Sequence, residues 1–186
     1  MEKPFNILFL SNMMEEKGVW TLVDACRLLK DRHCKFECHF VGKWSDISEE
    51  VFEKYITGKG VSGMVVSHGA KYGDEKSIFW QNANLFILPT YNECFPLVLL
   101  EAMQQGVPCI ASNEGGISDI IDNGKTGFIV EKRNAKQLAD KIEVLLKDPS
   151  LCQGMGQAGK KKFQAEFTIE RFENRMKDIL NQLTMC

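Results

Sequence analysis

Short unbroken apolar runs alternate along the chain with segments whose apolar positions recur at helical spacing. The runs Asn6–Ser11, Phe36–Gly42, Met64–Ser67, Leu85–Pro89, Pro108–Ala111 and Gly127–Val130 predict strands. Between and after them, Val19–Leu29, Glu49–Thr57, Asp74–Gln81, Pro96–Gln105, Ser118–Ile121, Ala135–Leu146, Ser150–Phe163 and Ile169–Leu183 predict helices. Strand–helix alternation at this spacing means βαβ units and a parallel sheet. Runs such as "NILFL" and "LFILP" suit strands covered on both faces. The expected fold is therefore α/β, a Rossmann-like doubly wound parallel sheet of about six strands with flanking helices. Gly154, Gly156 and Gly159 predict a weak point in the seventh helix near residue 155.

One segment breaks the pattern. In "YNECFPLVLLEAMQQGVP", residues 91–108, Glu101 is surrounded by Leu97, Val98, Leu99, Leu100, Ala102 and Met103. A helix apolar all round is normally buried, and an unpaired buried carboxylate costs several kcal/mol or takes up a proton. Helical side chains lean toward their own N-terminus, so Glu101 is expected to be buried yet to face the mouth at which the helix starts. A second acid, Glu93, stands just before that helix.

Composition narrows the function. The 186 residues suffice for one domain, 1–186, with a sizeable core. Lys plus Arg is 23 against 25 for Asp plus Glu, which gives no electrostatic case for nucleic acid. The only dense basic run, Lys160–Lys162, reads as a solvated helix face. No apolar segment approaches the ~18 residues of a membrane span. Nothing at the start resembles a secretory signal, and "MEKPF" leads straight into a strand, as in an excised domain. Seven cysteines, an odd number without a CxxC pair, predict reduced thiols and a cytoplasmic protein. "HCKFECH", residues 33–39, has zinc-ligand chemistry but strand periodicity, which separates Cys34 from Cys38 by ~13 Å and points Cys38 and His39 to opposite faces. No metal site is expected.

In an open parallel sheet, ligands bind at the carboxyl ends of the strands. The loop after the first strand, "SNMMEEKGVW", lacks G-x-G-x-x-G but places Lys17 and Gly18 before a helix, which suits an anion. After the fourth strand, Pro96 fits the first position of a helix whose free N–H groups suit a phosphate. A carboxylate repels phosphate, so Glu101 is expected to meet hydroxyls. Gly115–Gly116, after the fifth strand, allows a tight turn or close backbone approach. "NGKTGF", residues 123–128, reads as a turn entering the sixth strand.

"EEKGV", "ANLFILPTYNECFPLVLLEAMQQGVPCIAS", "GGISDIIDNGKTGFIV" and a downstream "FT" helix occur in this order. Together they resemble the C-terminal, donor-binding domain of retaining glycosyltransferases with the GT-B fold, the family-4-like group 1 enzymes. These include bacterial transferases that build lipopolysaccharide, capsule and other glycoconjugates. The most specific element is Glu93, seven residues, then Glu101. The resemblance implies that the substrate is a nucleoside-diphosphate sugar of UDP or GDP type, with no further cofactor. It implies that Glu93 bonds hydroxyls of the transferred sugar, that Glu101 accepts from the two ribose hydroxyls, and that Lys17 pairs with the diphosphate. Backbone N–H groups near Leu97 and Val98 would cradle diphosphate oxygens, with Phe95 alongside. The base would lie against the loops holding Gly42 and Gly69. It further implies a missing N-terminal acceptor-binding domain, inactivity of this half alone, and peripheral membrane association of the whole protein.

Two positions depart from the family pattern. Ser11–Asn12 replaces the usual Gly-Arg, so Asn12 lies at the donor site without the charge that pairs with phosphate. Cys94 replaces a common glycine, which strains the backbone if φ is positive there. The readings left open are an active transferase's donor domain, a nucleotide-sugar-binding module with little or no catalysis, and an epimerase or phosphorylase of similar fold. The terminal stripe Phe172, Met176, Ile179, Leu180 and Leu183 either finishes the core or awaits a partner.

Overall fold

The computed structural model describes residues 4–184. Six strands form one all-parallel sheet in the order β3-β2-β1-β4-β5-β6. They are β1 (Phe5–Leu10), β2 (Phe36–Val41), β3 (Val65–Ser67), β4 (Leu85–Leu88), β5 (Cys109–Ser112) and β6 (Gly127–Val130). The helices are α1 (Val19–Asp31), α2 (Glu49–Gly58), α3 (Gly73–Asn82), α4 (Leu97–Gln105), α5 (Ile117–Ile120), α6 (Ala135–Lys147), α7 (Pro149–Glu166) and α8 (Ile169–Thr184), preceded by a 3-10 turn at Glu15–Lys17. Every predicted element forms, with ends shifted by a few residues.

Period-two alternation splits the core into two layers. Ile7, Phe9, Cys38, Phe40 and Ile87 face α1, α2 and α6. Leu8, Val41, Phe86, Leu88 and Ala111 face the other layer, with Trp80 of α3 and the buried faces of α4 and α5. Cys38 sits fully buried in the first layer, while His39 is half-exposed on the other face, so the histidine–cysteine segment does not converge on a metal. Strand order reverses between β1 and β4, which places the loops after these two strands side by side.

Three readings are settled or refined. α7 is helical throughout Pro149–Glu166, so the weak point expected near residue 155 does not break it, and one of its glycines serves packing. A Cβ on Gly156 would lie 2.0 Å from the carbonyl oxygen of Gly106, so α7 approaches the end of α4 by backbone contact. Lys162 is not solvated: its side chain is 11% exposed, its ammonium pairs with Asp122 Oδ1 at 2.7 Å and it donates to the Asp119 carbonyl at 3.0 Å. The α8 stripe does not finish the core, since Phe172 is 64%, Ile179 50% and Leu180 55% exposed. The side chain of Leu183, and Cys186, lie outside the described residues. No described helix is long and apolar enough to cross a membrane.

The two helical glycines of α7 separate packing from propensity. Gly156→Ala is expected to destabilise the fold by about 1–3 kcal/mol through overpacking. Gly154→Ala meets nothing within 4 Å and is expected to stabilise it by about 0.5–1 kcal/mol. Urea unfolding of both variants checks this; equal effects of one sign would contradict it.

Candidate functional site

Gly18 fixes the approach of the loop after β1 to the end of β4. Its φ is +76°, a left-handed conformation, and an added Cβ would lie 1.9 Å from the Pro89 carbonyl oxygen. Glycine alone tolerates both demands. Once the loops meet, hydrogen bonds close the seam. The Glu16 carbonyl accepts from the Tyr91 N–H at 2.7 Å and from the Thr90 hydroxyl at 3.2 Å. Asn92 Nδ2 donates to Glu16 Oε2 at 3.3 Å, and the Tyr91 hydroxyl lies 2.5 Å from Thr21 Oγ1 on α1. Lys17 Nζ reaches Glu93 Oε2 at 2.9 Å and the Asn92 carbonyl at 3.4 Å. The Lys17 and Glu93 side chains are 18% and 19% exposed, which leaves the pair at an open mouth.

The fifth loop braces the other side of Glu93. Gly115, at φ +49°, would place a Cβ 2.1 Å from the Glu93 carbonyl oxygen, and the Gly116 N–H donates to the Cys94 carbonyl at 2.7 Å. Phe95 is 41% exposed and lies against Gly116, with its ring 6.4 Å from Phe167 at the end of α7. The positive-φ non-glycine residues among those described are His33 and Arg133, so the strain considered for Cys94 does not arise.

Leu97, 67% exposed, and half-buried Val98 open α4, and no side chain caps Pro96 before them. Glu101 corrects the reading of a buried acid. Only Leu99, Ala102 and Met103 of α4 are buried, and the Glu101 side chain is 40% exposed. Its partner is Lys76 of α3, with Nζ 2.5 Å from Oε2. Sequence reasoning placed Lys76 on a helix but gave it no role, because nothing local links residue 76 to residue 101. Gly42 and Gly69 meet directly, the Gly42 N–H donating to the Gly69 carbonyl at 2.9 Å. Asn12 is exposed on the loop after β1, its carbonyl accepting from the Met14 N–H at 2.9 Å. Two further cations stand at this edge: Lys132 pairs with Glu114 at 2.5 Å, and the Arg133 guanidinium lies 4.7 Å from the centre of the Tyr91 ring.

The loops after β1 and β4 thus bring the Lys17–Glu93 pair beside the uncapped start of α4, and the second turn of that helix carries Glu101, paired with Lys76. A model of glycosyl transferases group 1 matches residues 1–162. The chain belongs to the group 1 glycosyl transferases. It is 31% identical over 156 residues to D-inositol 3-phosphate glycosyltransferase of Arthrobacter sp. (strain FB24), covering 83% of this chain and 37% of that protein. Sucrose-phosphate synthase from Thermosynechococcus elongatus matches with a TM-score of 0.86 at 26% identity, over 98% of this chain and 46% of that one. Anabaena Alr3699/HepE, solved in complex with UDP and glucose, matches with a TM-score of 0.83 over 96% of this chain and 48% of that one; at 20% identity this likeness shows the fold alone. This group 1 glycosyl transferase chain spans less than half the length of these proteins.

Beneath the loop that carries Gly69, His39 Nδ1 and His68 Nε2 lie 3.0 Å apart, beside a cavity of about 250 Å³ between the sheet and α3. Burial lowers the pKa of both from the ordinary 6.5, and the neighbouring His39 and Lys71 lower His68 further, while Glu37 partly opposes the shift of His39. The fold disfavours the charged form of both rings, so as pH falls through about 6.5 these two histidines take up more protons in the unfolded chain than in the folded one. Stability is therefore expected to fall as pH drops below 6.5, and to fall less in the His39→Gln/His68→Gln double variant. Urea midpoints between pH 7.5 and 5 check this; identical pH slopes for the two proteins would contradict it.

Proposed function

We propose that this chain is the donor-binding domain of a glycosyltransferase that moves a sugar from a nucleoside diphosphate to an acceptor with retention. The observation that carries this reading is the Lys17–Glu93 pair at the β1/β4 switch point, beside the uncapped start of α4 and with Glu101 on the second turn of that helix. In this reading Lys17 and the N–H groups of Leu97 and Val98 take the diphosphate, Glu93 takes hydroxyls of the sugar, and Glu101 takes the ribose. The loops holding Gly42 and Gly69 flank the base, and Phe95 and Asn12 border the diphosphate. UDP and GDP sugars are the first donors to test, since a structural neighbour holds UDP and glucose.

Transfer breaks the bond from the anomeric carbon to the diphosphate oxygen, and the electron pair leaves with the diphosphate. Donors aimed at the developing charge lower the barrier insofar as they bind the leaving group more tightly at the transition state. Lys17 and the α4 start have that placement. The acceptor and its binding half lie beyond this chain, whose matches cover 37–48% of the related proteins. The exposed α8 stripe suits a surface that meets such a half. A second reading, a binding module of the same fold with little catalysis, is favoured by Asn12: it is exposed where the family pattern has an arginine.

Calorimetry with UDP, GDP and their sugars, in chelator, tests the division of roles. Glu101→Gln is expected to weaken the bare nucleotide by about 1.5–3 kcal/mol, the worth of a charged hydrogen bond. Glu93→Gln is expected to spare the bare nucleotide and to weaken only the added contribution of the sugar. Equal effects of both variants on bare nucleotide would contradict the assignment, and binding that vanishes in chelator would contradict a metal-free site.

A further inference from the structure

We propose that Lys76 is a positioning residue for the ribose subsite, holding Glu101 where it accepts from a 2′-hydroxyl. The inference rests on the donor-binding reading above and adds a residue to it. Lys76 stands on the first turn of α3, the helix that follows the loop carrying Gly69. That loop is tied to the end of β2, since the His68 N–H donates to the Phe40 carbonyl and the Gly42 N–H to the Gly69 carbonyl. α3 therefore leaves a fixed point beside the place assigned to the base. Glu101 stands on α4, the helix whose start is assigned to the diphosphate. The Lys76–Glu101 pair joins α3, which follows the loop assigned to the base, to α4, whose start is assigned to the diphosphate, and on that ground it is assigned to the ribose.

The geometry of the pair suits a hydroxyl ligand. Lys76 engages Oε2 at 2.5 Å, and no other hydrogen bond or ion pair reaches Glu101 among the described residues. Oε1 is left as an acceptor, and at 40% exposure the carboxylate is open to a ligand. Lys76 is 29% exposed, so its ammonium has donors to spare at the same opening. A long glutamate side chain on an exposed helix face has several rotamers of similar energy. The lysine fixes one of them before a ligand arrives, which lowers the ordering cost of binding. It also cancels a negative charge close to an anionic ligand, so the carboxylate contributes its acceptor without repelling the diphosphate.

A merely structural surface pair would stabilise the fold a little and ignore the ligand's 2′-position. The test compares UDP and GDP with their 2′-deoxy counterparts, by calorimetry, in the native chain and in Lys76→Gln and Lys76→Arg, with thermal unfolding as a folding control. The native chain is expected to prefer the ribonucleotide. Lys76→Gln is expected to weaken that ribonucleotide about tenfold, the loss of a charged hydrogen bond, while changing the 2′-deoxy form far less. Lys76→Arg is expected to keep most of the preference. A Lys76→Gln variant that weakens both forms equally, or neither, overturns this assignment and leaves the donor reading standing. A native chain that binds neither UDP nor GDP overturns the donor reading and this assignment together.

Discussion

Contact between the loops after β1 and β4 is the constraint from which the site follows. Parallel order reverses at these strands, so their outgoing loops must share one opening. Gly18 lets them touch, because any side chain there would strike the Pro89 carbonyl. Bonds to the Glu16 carbonyl from the Thr90 hydroxyl and the Tyr91 N–H then fix the seam in register. Lys17 and Glu93 meet only because of that seam. Their partly exposed pair contributes little to stability by itself. Its value is placement: a cation and an acceptor held at one mouth before any ligand arrives.

α4 links this pair to a second one. Its start lies beside Glu93 in the chain, and its second turn presents Glu101 to Lys76. Gly115 presses on the Glu93 carbonyl from the far side, so three loops confine one short segment. The chain thus holds two pairs of opposite charges, Lys17–Glu93 and Lys76–Glu101, both partly exposed.

The fold was largely legible in the sequence, because parallel strands buried on both faces read as unbroken apolar runs and the flanking helices keep their period. The acids and Lys17 were legible as candidates from their loops and spacing. Burial of Glu101 was misread, since the apolar residues around it count as core only if α4 is covered all round; Leu97 stays open, and only Leu99, Ala102 and Met103 are buried. Lys76, Lys162 and Gly156 share one cause of illegibility. Each acts on a partner far along the chain, and only the packed sheet brings them together. Cys94 raised a question of backbone strain that only φ values resolve, and among the described non-glycine residues the positive values fall on His33 and Arg133.

The central claim is that the seam places Lys17 to hold a diphosphate. The most direct measurement is the affinity ratio of UDP to uridine, or of GDP to guanosine, in the native chain and in Lys17→Met. The account predicts that the native ratio is large and that Lys17→Met lowers it about tenfold or more, the worth of a charge-assisted contact, with nucleoside affinity unchanged. A ratio that stays the same in Lys17→Met would contradict it.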